Sequence, residues 1–248
     1  SWKAYVEGNA AQPTKCAIPT LGSTDAQTPT PQEAFVTWRD PFLYFHSVID
    51  DTSCAERVVG IDQLAPELRS VSKTPSLAYI IPDRCHDGAN EPCLQRPGLV
   101  AADAFLAKVV PEIERSPSYK AGGLIAITFD QAPQTGPEAD SGGCCNSPAY
   151  PNLPPATAGP PAAPSGEAGS AGPSGAPGIE ATNEPAGGGR VGLLLLSKYV
   201  KPGSIDVIGQ YNHFSLLAAV EDLFGLPHLG YADTPGLLGF DRSVYTAW

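Results

Sequence analysis

The sequence predicts an α/β layered fold. Three observations carry that expectation: short apolar runs bounded by turn residues, longer stretches with apolar side chains at helical spacing, and alternation of the two types along the chain. With 248 residues there is room for one large core or two smaller ones. The most telling run is Leu124 to Asp130, LIAITFD, in which apolar and β-branched residues lead into a carboxylate and then into turn-forming residues. A buried strand of this kind holds its charge where the backbone stops pairing, and ligands of open α/β sheets gather at such carboxyl ends.

The elements follow in order. Phe42 to Val48 is an aromatic, strand-like run. Ala55 to Leu68 carries Val58, Val59, Ile61, Leu64, Ala65 and Leu68 as a helical stripe interrupted by Gly60 and Pro66. Ser76 to Ile81 is short and apolar and stops at Pro82, which predicts a strand. Leu99 to Glu114 places Phe105, Leu106, Val109, Val110 and Ile113 on one face, a helix expected to kink at Pro111. Val191 to Ser197 reads as a second buried strand. Asn212 to Phe224 then spaces Leu216, Leu217, Val220, Leu223 and Phe224 as a helix, with Asn212 as a candidate N-cap. Between Pro148 and Gly189 the composition shifts to Pro, Ala, Gly and Ser, which cannot offset the entropy of ordering. Residues 148–189 are therefore expected to form a flexible insertion within one domain. Glycines at a three-residue period from Gly166 to Gly178 are too few for a collagen helix.

Charge and cysteine content narrow the function classes. Fifteen basic against 26 acidic residues repel phosphate backbones, which excludes nucleic-acid binding through a basic groove. No apolar run approaches the roughly 18 to 20 residues of a transmembrane segment. The lack of any Met, together with the opening at Ser1, predicts that an upstream segment was removed. Six cysteines without a zinc-type Cys-x-x-Cys pair favour disulfides and a secreted, extracellular or periplasmic location. Locality favours pairing Cys16 with Cys54, Cys85 with Cys93, and Cys144 with Cys145, among the many connectivities possible. Reduced, buried thiols are the alternative.

Four histidines are available for chemistry. His213 opens the last predicted helix, where positive potential favours a neutral ring suited to metal binding, although a capping role explains the position too. Asp83, His86 and Asp87 follow the Ser76 strand inside the expected Cys85–Cys93 loop, and an Asp-rich turn explains them equally. Together, Asp83 or Asp87, His86, Asp130 and His213 supply the oxygen and imidazole donors of a metal-assisted hydrolase. His46 and His228 read as structural.

The segments SWKAYVEG at Ser1, PFLYF at Pro41, CHDG at Cys85, SPSYK at Ser116, ITFD at Ile127, GRVG at Gly189 and YNHFS at Tyr211 resemble, in order and spacing, the bacterial phosphoesterase family. That family includes acid phosphatases and phospholipase C-like enzymes and belongs to the alkaline phosphatase superfamily. The resemblance implies a mostly parallel central sheet flanked by helices, and hydrolysis of a phosphate-ester small molecule or a phospholipid headgroup with a divalent metal ion. It implies Asp130 as a metal ligand and His86 and His213 as site residues; with the donors read above, the expected ligands are Asp130 and Asp83, and the expected catalytic residues His86, His213 and Asp87. Gln131 stands where a second acid often follows the aspartate. The nucleophile and further ligands are expected before Ser1, so that residues 1–248 form a single domain lacking its N-terminal part. An N-terminal fragment of the same precursor is then a partner. The rival expectation is a catalytically silent, secreted binding or surface protein on the same fold.

Overall fold

The computed structural model describes residues 1–12, 16–18, 30–89, 93, 98–133, 137, 139, 140, 142, 188–206, 211–240 and 244–246. The chain divides into two compact units, Ser1–Gly123 and Leu124–Trp248. The first is built on three parallel strands, β1 (Trp2–Val6), β2 (Val58–Gly60) and β3 (Leu77–Ile81), in the order β2-β1-β3. The middle strand β1 serves two cores. Ala4 and Val6 pack with Phe35, Cys54, Val58 and Ile81, whereas Tyr5 packs with Val59, Leu64, Leu68 and Val109. Burial on both faces is what a central parallel strand requires, and Ala4 and Tyr5 are fully buried.

Parallel neighbours need crossover connections. The chain passes through the short helices α1 (His46–Ile49) and α2 (Cys54–Arg57) between β1 and β2, and through α3 (Leu64–Glu67) before β3. After β3 come α4 (Leu99–Arg115), which accommodates Pro111 in its interior, and α5 (Pro117–Gly122). Ser116 starts α5: its hydroxyl accepts the Tyr119 N–H at 3.1 Å, with Pro117 at the first helical position. The α/β expectation holds. So do the Cys16–Cys54 and Cys85–Cys93 disulfides, while Cys144 and Cys145 lie outside the described residues.

Three local expectations are corrected. The stripe from Ala55 to Leu68 is not one helix, because Val58 and Val59 pair with Ala4 and Tyr5 as β2. Pairing with β1 outweighs a weak helical period carried by β-branched residues. Phe42 to Val48 is not extended: Asp40 accepts the Phe42 N–H at 3.1 Å and starts a 3₁₀ turn over Pro41–Tyr44, followed by α1. The runs around Leu124 and Val191 do form strands, β4 (Ile125–Thr128) and β5 (Leu193–Leu196), but they are not buried ones. They pair antiparallel, Ile125 with Leu196 through Thr128 with Leu193. Alternate residues of β4 are exposed, as is Leu194 of β5, which suits a two-stranded sheet covered on one side.

The second unit adds α6 (His213–Phe224). Its start is a capping box: the Asn212 side chain accepts the N–H groups of Phe214 and Ser215, and Ser215 Oγ accepts the Asn212 N–H. Gly225, at φ 62°, ends it in the left-handed conformation. Ala219, Phe240 and Tyr245 form its small core with Val200, Tyr211 and Leu216. Most of residues 148–189, including the three-residue glycine period, lies outside the described residues. Among the described residues, no helix is long and apolar enough to cross a membrane.

Candidate metal centre

The site of the first unit grows from the carboxyl ends of two adjacent parallel strands. Glu7 follows β1 directly, and its N–H donates to Ile81 O of β3 at 2.9 Å. Gly8 then turns the chain away at φ 81°; a Cβ there would sit 2.6 Å from Phe35 Cβ, so both conformation and space call for glycine. Asp83 stands two residues beyond β3, and its N–H donates to Glu7 Oε2 at 3.0 Å. The Asp83 carboxylate accepts the Cys85 N–H at 2.8 Å, and its carbonyl accepts the His86 N–H at 3.1 Å. This tight turn swings the His86 ring back over the strand ends.

His86 Nδ1 thereby lies 3.0 and 2.9 Å from the two Glu7 oxygens and 3.4 Å from Asp83 Oδ1. The ring stacks on Phe105 of α4 with centroids 5.5 Å apart. All three side chains are half-buried. Burial and, after it, the negative charge of Glu7 push the Asp83 carboxyl above its ordinary pKa; the Cys85 N–H, the His86 charge and the His86 N–H partly oppose the rise. A cation would relieve the crowding of two carboxylates.

The donor set fits a divalent ion. The Glu7, Asp83 and His86 donor atoms lie within 4.8 Å of one another, the only such group of three among the described residues. Metal–oxygen bonds of about 2.1 Å at right angles place neighbouring donors about 3.0 Å apart, close to the spacing found. Carboxylate and imidazole together suit magnesium, manganese or zinc. Binding through Nδ1 requires the ring to give up the proton that it otherwise donates to Glu7.

The family model of the Phosphoesterase family matches residues 1–227. The chain belongs to the Phosphoesterase family. No curated protein matches it. For a member of this family, an acidic group able to hold a metal at the strand ends is chemically apt.

The structure brings Asp83 and His86 together and leaves Asp87 outside the group. Asp87 turns to Arg39 at 2.6 Å and Arg84 at 3.1 Å, accepts the Ala89 N–H at 2.8 Å, and is nearly buried. Both guanidinium groups lie over the Trp38 ring, at 5.2 and 5.1 Å. Asp130 and His213 belong to the second unit. Asp130 is exposed just past β4, with Oδ1 accepting the Gln131 N–H at 3.0 Å. His213 Nε2 donates to Phe129 O at 2.9 Å, tying the start of α6 to the residue before Asp130. His46 and His228 pair with Asp50 and Asp222. Glu7 is the residue that sequence reasoning missed. A partial signal was present: WKAYV, apolar apart from Lys3, leads into an acid and then a turn-forming glycine, much as the run that singled out Asp130 leads into a carboxylate.

Proposed function

We propose that this chain is a metal-dependent hydrolase of phosphate esters in which Glu7, Asp83 and His86 hold a divalent cation. The observation that carries the reading is the convergence of these three donors at the ends of β1 and β3, in a member of the Phosphoesterase family. A bound cation supplies Lewis-acid polarisation of a phosphoryl oxygen. Glu7 and Asp83 contribute the negative charge that retains it. His86 would supply Nδ1 as the third donor, leaving Nε2–H, the ring nitrogen turned away from Glu7, to donate a hydrogen bond to a substrate oxygen. For the second unit, taken by itself, Asp130 is proposed as a metal ligand and His213 as a catalytic residue. Because His213 Nε2 is committed to Phe129, its chemistry would run through Nδ1.

The substrate class proposed is a small phosphate ester or a phospholipid headgroup, and the compartment is secreted or periplasmic, where the two disulfides persist. The test is titration of the purified chain with Mn²⁺ or Zn²⁺ by calorimetry, alongside release of p-nitrophenol from p-nitrophenyl phosphate and of phosphocholine from phosphatidylcholine vesicles. Wild-type protein should bind the ion and, joined by the N-terminal fragment proposed to carry the nucleophile, hydrolyse at least one substrate, and Glu7→Gln should lose both properties. Cation binding without turnover of either substrate in the presence of that fragment would support the silent binding protein instead. Absence of cation binding would defeat the site.

A further inference from the structure

We infer that His86 is bracketed by two positioning devices, the Cys85–Cys93 disulfide on one side and the Asp87 ion pairs on the other, and that together they set the cation affinity of the Glu7–Asp83–His86 group. The inference rests on the cation-site reading above. It adds a role for Cys85, Cys93, Asp87, Arg39 and Arg84, none of which is a ligand.

Preorganisation of the donors is what the two devices would supply. Asp83 and His86 sit on a turn outside the sheet, and Glu7 alone among the donors is fixed by strand pairing. A turn left to itself would sample many arrangements, and each would have to be given up on binding. The residues on both sides of His86 are held. Cys85 is joined covalently to Cys93, eight residues on, while its N–H donates to Asp83. Nearby, the Gly98 N–H donates to Ala89 O at 2.9 Å, closing the base of the loop just before α4, the helix that supplies Phe105. The bridge thus ties the ligand turn toward the element on which the imidazole stacks. On the other side, Asp87 is gripped by two guanidinium groups that are themselves packed on Trp38. A nearly buried carboxylate with two cationic partners is a poor proton-transfer group and a strong anchor.

Outer partners that orient metal ligands are worth about 10- to 100-fold in affinity when removed. The experiment measures Mn²⁺ dissociation constants by calorimetry for the whole chain and for three variants. These are Cys85→Ser with Cys93→Ser, Asp87→Asn, and Cys16→Ser with Cys54→Ser. Unfolding midpoints are recorded in parallel, and the His86 ring carbon–proton signal is followed by NMR during the titration. The first two variants should bind about 10-fold or more weakly, with the His86 signal broadened before metal is added. The Cys16–Cys54 variant should lose stability, since its bridge closes a loop spanning 38 residues, and keep wild-type affinity and a sharp His86 signal. Wild-type affinity in either of the first two variants would overturn the inference and leave the cation site standing. An equal loss in all three would overturn it as well, by tracing the effect to general destabilisation. If the wild-type chain binds no Mn²⁺, the cation-site reading fails and the inference fails with it. If the Cys85→Ser, Cys93→Ser protein does not fold, Asp87→Asn, which retains both disulfides, decides the question.

Discussion

Replacing Asp40 by Asn should stabilise the first unit at neutral pH and remove a pH dependence. Asp40 is fully buried and starts the turn over Pro41–Tyr44 by accepting the Phe42 N–H through Oδ1. Its Oδ2 has no hydrogen-bond partner among the described residues. Burial, opposed only by the Phe42 N–H, raises its pKa from 3.8 to about 6. A carboxyl whose pKa is higher in the folded state binds more protons folded than unfolded between those values, so stability is full below the lower value and falls as pH rises through about 6. At about 1.36 kcal/mol per pH unit, the ionised form costs the folded state about 3 kcal/mol at pH 7.5. Asn keeps the Oδ1 acceptor and carries no charge, but its amide places a donor where Oδ2 lacks a partner, at a cost of about 1 to 2 kcal/mol. The net expectation is a gain of about 1 to 2 kcal/mol at pH 7.5 and a loss of similar size at pH 4. Urea unfolding followed by fluorescence reports it, since Trp2 and Trp38 both lie in this unit and Trp2 stacks on Phe42. Taking the difference between wild type and variant at each pH cancels the other titrating groups. A constant difference from pH 4 to 7.5 would refute the reasoning.

Asn212→Ala should cost about 1 kcal/mol by removing the acceptor that two N–H groups of α6 share, seen as a lowered midpoint for the second unit. Protein denatured without reductant should show no thiol label at Cys16, Cys54, Cys85 or Cys93 and should take up label at all four after reduction. In protein assayed together with the proposed N-terminal fragment, Asp130→Asn should remove most phosphatase activity with an unchanged circular dichroism spectrum, because an exposed charge beyond a strand end is lost rather than a core contact.

Strong, long patterns were the legible part of the sequence. α4 and α6 carry apolar residues over several turns, and β3 stops against Pro82, so their positions follow from local rules. β2 is three residues long, and nothing local distinguishes its two valines from a helical stripe; its identity comes from pairing with β1 far away in the chain. β1 escaped notice because Trp2, Lys3, Ala4, Tyr5 and Val6 alternate only weakly, as befits a strand buried on both faces. With β1 went Glu7. Asp83 and His86 could be named from their spacing behind a strand, but not the carboxylate that completes the group. Nor does the sequence say that Asp87 faces two arginines while its neighbour His86 faces two acids: alternate residues of a turn point to opposite sides, and only the turn's path decides which.

The central place of β1 also shapes how the protein reaches its native state. Its partners begin at Val58 and Leu77, and β2 and β3 touch β1 rather than each other, so no part of this sheet can form from neighbouring sequence. Loop closure over such distances is costed before any pairing repays it, which makes assembly slow and exposes the unpaired β1 edges meanwhile. The three donors exist as a set only after β1 and β3 have joined. An ion that binds them therefore has affinity for the joined β1–β3 pair and almost none for earlier states, and in a metal-rich medium it would act as a latch on that pairing rather than as a nucleus for it.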